Sequence, residues 1–81
     1  MKSIQIYTTT NCGYCVAAKR LCDQLSLPYT EIDLTENDEL RSTLSAQNDH
    51  YRTVPMIFID DVFIGGFNEL DQMRRAGKLT N

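Results

Sequence analysis

Ile4-Gln5-Ile6-Tyr7-Thr8-Thr9-Thr10-Asn11-Cys12-Gly13-Tyr14-Cys15-Val16-Ala17-Ala18 is the stretch on which the fold turns. Ser3 to Tyr7 alternates, with Ile4 and Ile6 on one face, and reads as a short strand. Thr8 to Asn11 is polar and reads as a loop. From Cys15 to Leu25 the spacing becomes helical. Cys15, Ala18, Cys22 and Leu25 share one stripe with Leu21 beside it, while Lys19, Arg20, Asp23 and Gln24 take the other side. Cys12 and Cys15 therefore stand where a strand hands over to a helix.

The rest of the chain extends this pattern. Pro28 stops the helix, and Tyr29 to Leu34 alternates again as a second strand. Thr35-Glu36-Asn37-Asp38 resembles a capping box, with acids in the first turn of a helix running to about Gln47. That helix places Leu40 and Leu44 on one face. Asn48 to Arg52 is a polar loop. Pro55 to Asp60 carries Met56-Ile57-Phe58-Ile59, a continuous apolar run that suits a buried strand, with Pro55 tolerable only at its first position. Asp60-Asp61 is a turn into the return strand Val62-Phe63-Ile64, which Gly65-Gly66 breaks. Asn68 is the expected cap of a last helix containing Leu70 and Met73, ended by Gly77. The order β-α-β-α-β-β-α implies an α/β fold, a four-stranded mixed sheet flanked by three helices. Its 81 residues make one domain, spanning 1–81.

Composition narrows the function classes. A hydrophobic fraction of 42% and a charged fraction of 23% are those of an ordinary globular protein. The net charge is −3 and no Lys/Arg cluster exceeds two adjacent residues, which argues against a nucleic-acid partner. No apolar run approaches the length of a membrane span, and the Met1-Lys2-Ser3 start has no apolar stretch of signal-peptide length. The expectation is a soluble, cytoplasmic protein that acts as a monomer, without membrane or nucleic acid as partner. Three cysteines cannot complete an internal disulfide framework. A bridge between Cys12 and Cys15 closes a very short loop and stabilises about 1 kcal/mol less than a 15-residue loop would. Such a bridge suits opening and closing better than holding a fold together.

The chemistry is legible at Cys12-Gly13-Tyr14-Cys15. A thiolate at a helix N-terminus faces unpaired backbone N–H groups and the positive end of the helix dipole, which lower its pKa. Cys12 sits at the start and faces solvent, so it attacks. Cys15 lies on the apolar stripe and resolves the mixed disulfide across an i, i+3 offset. The competing reading is half of a zinc site. It needs two further ligands, and only Cys22, two turns down the same helix, and His50, in a loop, remain. Cys22 reads as a packed small hydrophobe. His50 reads as a solvated loop residue, and Lys19 and Arg20 as solubilising cations. Glu36, Asp38 and Glu39 serve the start of a helix.

Three motifs together resemble the glutaredoxins, a family of the thioredoxin-fold superfamily. Cys12-Gly13-Tyr14-Cys15 resembles the family's active site, whose second position is most often proline. Thr53-Val54-Pro55 resembles its T-V-P segment with a cis-proline. Gly65-Gly66-Phe67-Asn68-Glu69-Leu70 resembles the glycine pair before its last helix. The resemblance covers nearly the whole chain. It implies a thioredoxin-like fold and a thiol–disulfide oxidoreductase that uses glutathione as co-substrate. It further implies that disulfide-containing or glutathionylated proteins are its partners.

On this reading glutathione lies across Tyr14, Thr53, Val54, Pro55, Gly66, Phe67 and Asn68, with its sulfur at Cys12. The backbone of Val54 pairs with the peptide as an added strand would. Free N–H groups near Phe67 and Asn68 take the γ-glutamyl carboxylate, and Asn68 or Glu69 meets its amino group. Glutaredoxins commonly carry a lysine where Thr9 stands, and Arg52 is the best substitute cation for the glycyl carboxylate. Acidic residues are common where Asn68 stands. Gly13 in place of proline is associated, in some members, with a [2Fe–2S] cluster held between two chains by the first cysteine and glutathione from each, for which Cys12 would be this chain's ligand. Two alternatives therefore stand beside a glutathione-dependent enzyme: a glutaredoxin-like redoxin reduced by thioredoxin reductase, and a cluster carrier.

Overall fold

In the computed structural model residues 3–79 are described, and the Met1-Lys2 start falls outside them. The elements are β1 (Ile4–Thr8), α1 (Gly13–Gln24), β2 (Tyr29–Asp33), α2 (Asp38–Gln47), β3 (Met56–Ile59), β4 (Val62–Gly65) and α3 (Phe67–Arg75). The sheet has four strands in the order β2-β1-β3-β4. β1 runs parallel to β2, pairing Ile4 with Tyr29, and antiparallel to β3, pairing Ile4 with Ile59. β4 closes the sheet antiparallel to β3. The expected mixed sheet with three helices is the observed one.

Side chains alternate faces along a strand, and both faces here are covered. Ile4, Ile6, Ile57 and Ile59 pack against Ala18, Leu21 and Cys22 of α1 and Leu70 of α3. Met56 points the other way, into a second cluster with Leu34 and with Leu44 of α2, which Tyr51, Phe58 and Phe63 extend. Met56 and Ile57 are adjacent and both fully buried, which explains why this strand reads as an unbroken apolar run. No helix of the described residues is long and apolar enough to cross a membrane.

Local chemistry moves three boundaries away from the sequence expectation. Helix α1 ends at Gln24, and Ser26 at φ 55° turns the chain left-handed while the Leu27 N–H reaches the Cys22 carbonyl at 2.8 Å. The reversal swings Leu25 out to 37% exposure and gives its expected core place to Leu27. Helix α2 is capped by Asn37, whose Oδ1 accepts the Leu40 N–H at 3.1 Å, and not by Thr35. Thr35 is held elsewhere: its N–H donates to Asp33 Oδ1 and its hydroxyl accepts the Thr10 N–H. Helix α3 starts two residues earlier than an Asn68 cap requires. Gly66 is its N-cap, and the Glu69 carboxylate reaches back to the Gly66 N–H at 2.7 Å. Gly77, at φ 71°, ends the chain's last helical turn as expected.

Candidate active site

The β1–α1 junction carries the cysteines. Cys12 is the N-cap of α1, in extended conformation, and Cys15 lies in the first turn. The two are joined by a disulfide, with Cα atoms 5.2 Å apart. The Cys15 N–H donates to Cys12 Sγ at 3.1 Å, so an orphan donor of the helix start is aimed at this sulfur. A thiolate formed here on reduction meets that donor and the positive end of the dipole, and both favour the charged form. Cys12 is half-buried with one side open, whereas Cys15 is 2% exposed. The division into an outer and an inner sulfur is the one the helical stripe implied.

Cys22 shows what the same helix does to a thiol without such a setting. It is fully buried and outside any disulfide. Burial, helped by the neighbouring Asp23 charge, pushes its pKa up to about 11.

A second loop closes over the outer sulfur. The Val54–Pro55 peptide is cis, and the Val54 carbonyl oxygen lies 3.7 Å from Cys12 Sγ. Beside it opens a cleft of about 200 Å³ lined by Tyr14, Tyr51, Thr53, Val54, Pro55, Gly66, Phe67, Asn68 and Glu69. Tyr14 is 65% exposed, and its ring stacks on Phe67 with centroids 6.1 Å apart. The N–H groups of Phe67 and Asn68 open α3 and have no acceptors within the helix. The Gly66 N–H, by contrast, is taken by Glu69. Gly65 has φ 114°, and a Cβ there would come within 2.8 Å of Glu69 Cγ. The glycine pair is thus what lets Glu69 fold back over the helix start.

Seven of the expected glutathione-binding residues meet in this cleft: Tyr14, Thr53, Val54, Pro55, Gly66, Phe67 and Asn68. Arg52 does not. It lines a separate depression with Arg41, Ser45 and His50, and its carbonyl accepts a hydrogen bond from Arg41 Nη2 at 3.0 Å. The chain turns between Arg52 and Thr53, so neighbours in sequence face different cavities. Thr9 lies on the far side of Cys12, in a hydroxyl-rich depression shared with Lys19 and Glu31. Lys19 is bound there to Glu31 at 3.0 Å, and the Thr8 hydroxyl donates to the same carboxylate oxygen at 2.9 Å. These two hydrogen bonds hold the Glu31 carboxyl below its ordinary pKa.

Tyr51 is the cleft residue that sequence reasoning missed. Its signal was an aromatic side chain in the otherwise polar loop Asn48 to Arg52. Its hydroxyl sits 2.7 Å from where a Cβ on Gly66 would stand.

Comparison with known proteins agrees with this geometry. The glutaredoxin family model matches residues 4–64. A glutaredoxin of Pseudomonas aeruginosa is 39% identical over 79 residues, covering 98% of this chain and 93% of that protein. The chain belongs to the glutaredoxin family. Glutaredoxin 1 of Rickettsia felis is 34% identical over 98% of this chain and 78% of its own length. A crystal structure of a buckwheat glutaredoxin–glutathione complex superimposes with a TM-score of 0.89, at 34% identity over 96% of this chain and 73% of that one. Glutaredoxin 1 of Francisella tularensis, complexed with cacodylate, superimposes at 0.78 with 31% identity over 94% of this chain and 95% of that one. Family and fold make the chain a thiol–disulfide oxidoreductase, with Cys12 and Cys15 as its disulfide.

One chain by itself does not supply the donor set of a [2Fe–2S] cluster, and the cluster reading needs a second chain and glutathione. Such clusters are held by several thiolates. Cys15 and Cys22 are buried, which leaves Cys12 as the accessible sulfur. Among the described residues no group of three or more His, Cys, Asp or Glu converges.

Proposed function

We propose that the protein reduces glutathione mixed disulfides and protein disulfides at the expense of glutathione. The observation that carries this reading is the placement of Cys12 Sγ between the first turn of α1 and the Val54 carbonyl, at the mouth of a cleft ending on the free amides of α3. The Val54 edge of that cleft offers backbone pairing, and its α3 end favours a carboxylate. The buckwheat relative's complex with glutathione supports the same reading.

The steps balance as thiol–disulfide exchange. The Cys12 thiolate attacks the glutathionyl sulfur of a mixed disulfide, forms Cys12–S–S–glutathione and releases the target thiolate, which takes up a proton. A second glutathione thiolate attacks that bridge, yielding oxidised glutathione and the Cys12 thiolate. With a protein disulfide, Cys12 bonds to one target sulfur and the other leaves. Cys15, deprotonated, then attacks Cys12 Sγ, releases the reduced target and leaves the Cys12–Cys15 disulfide. Two glutathione molecules return it to the dithiol and become oxidised glutathione. This cycle suits a monomer in the reducing cytoplasm, where reduced glutathione is in excess.

The test is NADPH consumption with a glutathione mixed disulfide, glutathione and glutathione reductase. Turnover that requires Cys12 is expected. A folded, reduced protein that fails here but turns over with thioredoxin reductase would replace this reading with the redoxin alternative.

A further inference from the structure

Tyr51 takes no part in the steps above, yet it is built into the cleft from behind. Its ring packs edge-on against Phe63, with centroids 5.0 Å apart and planes at 75°. The ring belongs to the apolar cluster under α2, which fixes its direction. The hydroxyl is the end left over, and it emerges in the cleft. It has no hydrogen-bond partner among the described residues.

Its place explains Gly66. That residue has φ −109°, a backbone conformation open to any amino acid. What a side chain lacks there is room: a Cβ would lie 2.7 Å from Tyr51 Oη and 3.3 Å from the Pro55 carbonyl oxygen. The phenol therefore stands directly over the backbone at the entry of α3. Three donors belong to residues lining that end of the cleft: the Tyr51 hydroxyl and the N–H groups of Phe67 and Asn68. One carboxylate, that of Glu69, stands beside them, pinned through one oxygen to the Gly66 N–H.

We propose that Tyr51 is a specificity residue, whose hydroxyl donates to the α-carboxylate of a γ-glutamyl group seated at the start of α3. The Phe67 and Asn68 amides share that carboxylate, and Glu69 faces the adjoining ammonium group. The inference rests on the glutathione reading above and adds what that reading lacks, a side-chain donor from the loop before Thr53. A ligand without the γ-glutamyl group leaves all three donors unpaired, and such a loss discriminates strongly between substrates.

The test uses two mixed disulfides of one synthetic peptide, one with glutathione and one with cysteinylglycine, which lacks the γ-glutamyl group. Release of the peptide thiol by the pre-reduced protein gives a second-order rate constant for each. Tyr51→Phe keeps the ring on Phe63, and an unchanged thermal midpoint verifies that the fold is held. We expect the glutathione constant to fall about tenfold and the cysteinylglycine constant by less than about twofold, the pattern of one lost hydrogen bond to a charged group. Equal losses on both substrates, or none on either, would overturn the role of Tyr51 while leaving the glutathione reading intact. A wild-type protein that handles both disulfides alike would instead overturn the glutathione reading, and the Tyr51 role with it.

Discussion

At its first turn α1 carries a sulfur that meets a backbone N–H at 3.1 Å and a loop carbonyl at 3.7 Å. Nearly three turns further on it carries Cys22, enclosed by the core and pushed to a pKa of about 11. The side chains are the same and the helix is the same. The difference lies in what each end of the helix offers an anion. The N-terminus supplies unpaired donors and an opening to solvent. The last turn has spent its N–H groups on the helix and surrounds the thiol with apolar groups, which disfavour charge. Reactivity in this protein is therefore a matter of position along one helix.

The sharpest way to break this comparison is to remove the outer sulfur. Cys12→Ser should lower transfer from a glutathione mixed disulfide by at least about a hundredfold, because no other accessible thiolate can replace it. Activity retained in the coupled assay would mean that Cys15 or Cys22 is less enclosed than its burial indicates. Cys15→Ser separates the two reactions. Reduction of protein disulfides should fall about tenfold or more, while transfer from a glutathione mixed disulfide persists, since that step needs one thiol. Parallel loss of both would remove the division between attacking and resolving sulfurs.

The buried end can be tested by labelling and by pH. With the protein reduced at pH 8, iodoacetamide should modify Cys12 and spare Cys22 until denaturant is added, as read by peptide mass spectrometry. The folded Cys22 holds its proton more tightly than the unfolded chain, with a pKa raised from 9.0 to about 11. Its contribution to stability is therefore complete below pH 9 and is lost as pH rises toward 11, a change on the order of 2 to 3 kcal/mol. Cys22→Ala should cost about 1 to 2 kcal/mol at neutral pH through lost packing and should flatten that alkaline slope. An unchanged slope in urea melts would show that Cys22 does not govern it.

The smallest expected effect lies beside the helix start. Glu31 holds Lys19 and the Thr8 hydroxyl, and its carboxyl pKa is lowered. A lowered folded pKa places its contribution above the unfolded carboxylate range, to be lost as pH falls through the folded value. The pair is part-exposed, so Glu31→Gln should cost no more than about 1 kcal/mol at pH 7 and nothing at pH 2. Acid melts of the two proteins decide it.

Much of this was readable from residues in order. The alternation of Ile4 and Ile6, the helical stripe through Cys15, Ala18 and Cys22, and the apolar run Met56 to Ile59 each report a local periodicity, and periodicity survives without tertiary knowledge. The outer and inner placement of Cys12 and Cys15 follows from their three-residue offset at a helix start. The boundaries were less legible because several polar residues compete for the same orphan N–H groups. Asn37 took the cap that Thr35 was expected to hold, once Thr35 had bonded to Thr10 and Asp33. Gly66 took the position expected for Asn68, because Glu69 could fold back over Gly65.

What belongs to the chain alone, then, is the element order, the two-faced sheet and the reactive pair, since each depends on neighbours a few residues apart. The tertiary structure decided which distant side chains share one cavity. It brought Tyr51 from the loop after α2 to within contact of Gly66 at α3 and left Arg52, the next residue, outside that cleft. Adjacent residues in an irregular loop have no fixed period, so only the packing of Tyr51 on Phe63 selects the direction its hydroxyl takes.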